Sequence, residues 1–115
     1  MSEVVISVGA TGALFTTCQA LIQPGDEFVV IEPAFDCYSP QAQMAGAKIV
    51  VSTMKIGRGA NGRLDYQLDL ADLATKINSK TRAVLINTVC NQSNHINSII
   101  SIQSYQFNHI NSIIS

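Results

Sequence analysis

The sequence predicts an α/β fold, a partial three-layer sandwich of mostly parallel strands between helices, followed by an irregular tail. Three observations carry this reading. Four short runs, Val4–Val8, Phe28–Glu32, Lys48–Met54 and Arg82–Asn87, are dominated by Val, Ile and other apolar residues with little alternation, as expected of strands covered on both faces. Segments with helical spacing of apolar residues lie between them. A length of 115 residues leaves room for one domain with one core.

Taken in order, Val4–Val8 is the first expected strand. It passes through Gly9-Ala10-Thr11-Gly12 into a helix expected from Thr11 to Ile22, where Leu14, Cys18, Leu21 and Ile22 form the apolar stripe. Pro24-Gly25-Asp26 breaks that helix, Phe28–Glu32 forms the second strand, and Pro33 stops it. Pro40 suits the first turn of a short helix reaching Ala45, which Gly46 ends. After the third strand, the glycine-rich, charged stretch Lys55–Arg63 reads as an exposed loop. Asp69 is the expected N-cap of a helix with Leu70, Leu73, Ala74 and Ile77 on its apolar face, and Arg82–Asn87 closes the set as the fourth strand.

Beyond Thr88 the chain changes character. No Asp, Glu, Lys or Arg occurs from Ala83 to Ser115, and Asn, Gln and Ser make up half of the residues from Val89 on. The octet NHINSIIS appears at Asn94–Ser101 and again at Asn108–Ser115. Two copies are too few for a solenoid. The division expected is therefore a folded part at 1–88 and a low-complexity tail at 89–115 that forms no domain. Its composition resembles translated non-coding sequence. His95 and His109 are copies within the repeat and have no base or nucleophile partner.

The formal charge of −1 and an isoelectric point near 6.0 supply no basic field, which excludes a nucleic-acid or anionic-membrane partner as the expectation. Cys18, Cys37 and Cys90 show neither CxxC nor Cys/His spacing, so neither a disulfide framework nor a metal site is expected. Without a signal-peptide pattern or a long apolar run, the expected setting is cytoplasmic and reducing.

In parallel α/β layers, ligands gather at the carboxyl ends of the strands. Gly9–Gly12, Pro33–Tyr38 and the residues from Asn87 onward are expected there. The strand-to-helix turn at Gly9–Gly12 is the strongest of the three, because small residues let a phosphate approach free backbone N–H groups at a helix start. One reading is a dinucleotide site, with Glu32 lying 20 residues beyond Gly12 as the ribose-binding acid. Phe15 stands where that fingerprint's third glycine would be, and close helix-to-strand packing there does not admit a phenyl ring.

A wider set of residues supports another reading. Val8-Gly9-Ala10-Thr11-Gly12-Ala13-Leu14-Phe15, Gln19-Ala20-Leu21, Pro24-Gly25-Asp26-Glu27, Ile31-Glu32-Pro33-Ala34-Phe35-Asp36-Cys37-Tyr38, Ala45-Gly46-Ala47 and Lys80–Thr88 occur in order over Glu3–Thr88. Together they resemble the large domain of the class I/II, fold type I, pyridoxal-phosphate aminotransferases. The closest likeness is to the kynurenine–oxoglutarate/glutamine transaminase branch, whose members also act as cysteine-conjugate β-lyases.

The resemblance implies amino-group transfer from an amino acid such as kynurenine or glutamine to a 2-oxo acid, with pyridoxal 5'-phosphate as cofactor and a homodimeric parent enzyme. It implies that the backbone at Ala10 and Thr11, near Gly12, holds the cofactor phosphate, and that Phe35 stacks on the pyridine ring. Asn91 falls by count on the asparagine that bonds the ring hydroxyl, although the two prolines of the family's Pro-x-Asn-Pro motif are Val89 and Gln92 here. The lysine, aspartate and arginine that carry the family's chemistry lie further downstream in the family, and this chain has only an uncharged tail there, so no catalytic residue is assigned. The expectation is a catalytically incomplete fragment of such an enzyme. The alternative is a noncatalytic fragment that binds phosphate or a partner. The resemblance also implies that Val4–Val8 and Arg82–Asn87 would each lack a sheet neighbour, and that the Ile-rich tail could cover one open edge as an added strand.

Overall fold

The computed structural model describes residues 4–58, 62–87 and 100–104, the last as backbone alone. In chain order the elements are α1 (Gly9–Leu21), β1 (Glu27–Glu32), α2 (Tyr38–Met44), β2 (Lys48–Thr53), β3 (Lys55–Arg58), β4 (Leu64–Gln67), α3 (Leu70–Lys76), β5 (Thr81–Asn87) and β6 (Ile100–Ser104). The main sheet has the order β2-β1-β5-β6, with β1 parallel to both β2 and β5 and with β6 antiparallel to β5.

The sheet's pleat sorts its apolar residues onto two faces. Phe28 and Val30 of β1, with Ala83 and Leu85 of β5, meet Leu14, Cys18 and Ile22 of α1 and Ala42 of α2. On the opposite face Val29, Ile31 and Val84 pack with Leu73 of α3. This is the helix–sheet–helix sandwich the sequence predicts. Leu14, Cys18 and Ile22 recur every four residues, so α1 lays one stripe on the sheet and presents Ala10, Thr11 and Ala13 to solvent. Asp69 caps α3 as expected, its Oδ1 accepting the Asp72 N–H at 3.1 Å.

Polar contacts lock the amino end of the sheet. Buried Glu27 accepts from Asn78 Nδ2 at 2.7 Å and pairs with Lys48 at 3.6 Å. Asp26 accepts from the Gln23 N–H and from Arg82 Nε, each at 2.9 Å, tying the α1–β1 turn to β5. Gly46 has a φ of 94° and lies so close to Pro24 that an added Cβ would sit 3.2 Å from its backbone, so this turn needs glycine for both reasons.

Three expectations are corrected. Val4–Val8 forms no strand: Val4, Val5, Ile6 and Val8 are 80–95% exposed. A strand needs a neighbour for its backbone groups, and no strand among the described residues pairs with Val4–Val8. Lys55–Arg63 is not simply a loop, since Ile56 pairs with Tyr66 and Arg58 with Leu64 in the antiparallel β3–β4 hairpin. The tail is not wholly irregular, because Ile100–Ser104 adds to β5 with Ile102 opposite Leu85 and Ile100 opposite Asn87.

Helix α1 also begins two residues before the expected Thr11. No helix among the described residues is long and apolar enough to cross a membrane.

Candidate functional site

Helix α1 is joined to β1 by residues 22–26 and packs along the sheet, so it runs opposite to β1. Its N-terminus therefore stands at the carboxyl end of the sheet, where Glu32 ends β1 and the loop carrying Phe35 begins. The fold thus brings Ala10, Thr11, Gly12 and Phe35 to one end of the molecule, opposite the end closed by Glu27, Asn78 and Lys48.

The turn into α1 is made at Gly9, whose φ of 69° is costly for any residue with a Cβ. The Gly9 N–H bonds the Ser7 carbonyl at 3.1 Å. No side chain caps the helix, and by the i to i−4 pattern its ladder starts with the Gly12 N–H. Ala10 and Thr11 therefore offer backbone N–H groups without intrahelical acceptors, at the positive end of the helix dipole. Both residues are exposed and Gly12 is half-buried.

Phe35 is 56% exposed. Its ring meets Tyr38 edge to face, with centroids 5.7 Å apart and planes at 65°, and its carbonyl accepts the Tyr38 N–H at 3.2 Å. Ala34 and Tyr38 pack against the α1-side core and anchor the loop, which follows a cis Glu32–Pro33 bond. Tyr38 is the contributor that the sequence reading missed, and its signal was the second aromatic three residues beyond Phe35. Asn91 lies outside the described residues.

Charge at this end is acidic rather than basic. The first lysine or arginine of the chain is Lys48, while Glu32 and Asp36 flank the Phe35 loop and are exposed. Lys55 follows β2 at the same end but is ion-paired with Asp69, which raises its pKa by hydrogen bonding and charge. Burial, and then the neighbouring Asp36, push the Cys37 thiol up, away from the lowered range of activated cysteines. Among the described residues no group of His, Cys, Asp and Glu is placed to hold a metal ion. What this end can do is bind: backbone donors for a small anion, and an exposed aromatic ring for a flat ligand.

Residues 1–93 match the family described as aminotransferase class I and II. The chain belongs to that family. It is 41% identical over 107 residues to kynurenine–oxoglutarate transaminase 1 of Rattus norvegicus, covering 90% of this chain and 25% of the relative. The Homo sapiens protein of the same name is 45% identical over 95 residues, covering 79% and 22%. Among solved structures, N-succinyldiaminopimelate aminotransferase from Mycobacterium tuberculosis superposes with a TM-score of 0.64 at 38% identity, over 76% of this chain and 21% of that one. This aminotransferase chain spans about a quarter or less of the length of the curated relatives it matches.

Proposed function

We propose that this chain is the cofactor-cradling part of a pyridoxal-phosphate aminotransferase of the kynurenine/glutamine transaminase branch, and that the 115 residues alone bind the cofactor without turning it over. The observation that carries the reading is the placement, at the same end of the sheet, of an uncapped helix start and an exposed aromatic ring in a chain of this family. The residues present fit the group: the Ala10 and Thr11 N–H groups would receive the phosphate beside Gly12, and Phe35, held edge-on by Tyr38, would offer its ring to the pyridine. Asn91 is assigned to the ring hydroxyl by its place in the sequence.

When bound, pyridoxal phosphate supplies the electron sink for amino-group transfer. The chain's lysines do not supply the covalent attachment that chemistry requires. Lys48 and Lys80 belong to the amino end of the sheet, where the Lys80 carbonyl accepts the Glu27 N–H at 2.8 Å. Lys76 Nζ donates to the Val51 carbonyl at 2.7 Å and pairs with Asp72 at 3.5 Å. Lys55 alone follows a strand's carboxyl end, and its pair with Asp69 holds it as an ammonium, whereas attack on a carbonyl carbon needs the free amine.

The reading is tested by calorimetric titration of the purified chain with pyridoxal phosphate, pyridoxal and NAD, alongside a transamination assay with kynurenine or glutamine and a 2-oxo acid. Pyridoxal phosphate is expected to bind about two- to fivefold more tightly than pyridoxal, as about 0.3–1 kcal/mol for an anion at an exposed helix N-terminus implies, with no turnover. Equal binding of the two refutes the phosphate cradle, NAD binding in preference to both restores the dinucleotide reading, and cofactor-dependent turnover refutes the claim of incompleteness.

A further inference from the structure

Phe35 lies in the loop between β1 and α2 with more than half of its surface exposed, while its neighbours Ala34 and Tyr38 pack against the α1-side core. An exposed aromatic side chain turns freely about two side-chain bonds, and fixing it on a ligand uses up part of the binding energy. A ring already held in place avoids that cost.

Tyr38 is placed to hold it. It is the first residue of α2, and its N–H donates to the Phe35 carbonyl at 3.2 Å, which fixes the backbone between the two aromatics. Its ring meets that of Phe35 with centroids 5.7 Å apart and planes at 65°. An edge-to-face contact covers at most one face of Phe35, so the other stays free for a flat ligand. The core cluster against which Tyr38 packs contains Leu14 and Cys18 of α1, the helix whose start carries the Ala10 and Thr11 N–H groups. Through Tyr38 the Phe35 ring is therefore referred to that helix, and not to its loop alone.

We propose that Tyr38 is a positioning residue of the cofactor site: it holds the Phe35 ring in the orientation on which the pyridine stacks, and acts only through that ring. The inference rests on the cofactor reading of this end of the sheet and deepens it. The strength of an aromatic pair sets the expected effect at about two- to tenfold in affinity.

Calorimetric titration of the full chain with pyridoxal phosphate and with pyridoxal tests this in a double-mutant cycle. Tyr38→Leu, which keeps an apolar side chain against the core, is expected to weaken both ligands by the same factor, about twofold or more and no more than Phe35→Ala does. Tyr38→Phe keeps the ring and is expected to bind like wild type. In a Phe35→Ala background Tyr38→Leu is expected to change nothing further, which a merely structural role would not produce. Urea unfolding checks that each variant folds, and Tyr38→Met, a more adaptable apolar filler, replaces a Leu variant that does not. Wild-type affinity in Tyr38→Leu beside a weakened Phe35→Ala, a loss that persists in full without Phe35, or a loss confined to the phosphorylated ligand would each overturn the proposal. Unchanged binding in Phe35→Ala would instead remove the stacking on which the cofactor reading itself depends.

Discussion

Truncating Asp72 to Ala should destabilise the fold by about 2 kcal/mol, and most of that loss should come from a residue other than Asp72. Ser52 on β2 is fully buried, and its Oγ donates to Asp72 Oδ2 at 2.8 Å across to α3. Removing the carboxylate strands that hydroxyl without an acceptor, at a cost of roughly 1–3 kcal/mol. The Lys76–Asp72 pair is about one-third exposed and i,i+4, so its loss adds only about 0.3–0.5 kcal/mol. The cap that Asp69 places on the Asp72 N–H is unaffected.

Ser52→Ala removes the donor while Asp72 keeps Lys76 and solvent, so it should cost only about 1 kcal/mol. With the donor gone, Asp72→Ala no longer leaves a buried group unpaired. The double variant should therefore fall well below the sum of the two singles, by a coupling on the order of 1 kcal/mol. Urea unfolding of the four proteins at neutral pH measures the cycle. Additive losses within error, or an Asp72→Ala cost below about 0.5 kcal/mol, would refute the claim that this bond satisfies a buried hydroxyl.

Gly9→Ala meets no steric obstacle, so its cost should be the backbone penalty at φ 69° alone, roughly 1–2 kcal/mol, whereas Gly12→Ala inside α1 should be neutral or stabilising; urea midpoints compare the two. Phe35→Ala should weaken pyridoxal-phosphate binding about two- to tenfold in calorimetry, the range of an aromatic contact, while leaving the unfolding midpoint nearly unchanged because the ring is exposed. Acid sensitivity should follow Asp26 and Asp69. The Gln23 N–H and then Arg82 lower the pKa of Asp26, and Lys55 and then the Asp72 N–H lower that of Asp69. The unfolded chain binds more protons in this range, so the stabilisation is complete above the ordinary aspartate value near 3.9 and is lost as pH falls through the lower folded values. Asp26→Asn should flatten the decline in urea midpoint below about pH 4; an unchanged slope would refute the assignment.

Much of the site was legible because its signals are local. The Gly9–Gly12 turn, the exposed loop carrying Phe35 and the Asp69 cap follow from small residues, proline and capping chemistry within a few positions. The β3–β4 hairpin also has a local signal, since Ile56 alternates with Lys55 and Gly57, and Leu64 and Tyr66 with Asp65 and Gln67. Glycine and charge around Gly62 hid that period-two pattern.

Sequence alone determined the α/β class, three of the four expected main-sheet strands and all three helices, because periodicity and turn residues act over short range. Tertiary structure decided the rest. Val4–Val8 has the composition of a strand yet remains outside the sheet, while the polar Ile100–Ser104 enters it. Whether a segment becomes a strand depends on which strand takes it as a neighbour as well as on its residues, and that is settled only when the sheet assembles. The same holds for the lysines: their number was readable from the sequence, but only the fold showed that Lys55 and Lys76 are committed to Asp69, Asp72 and the Val51 carbonyl.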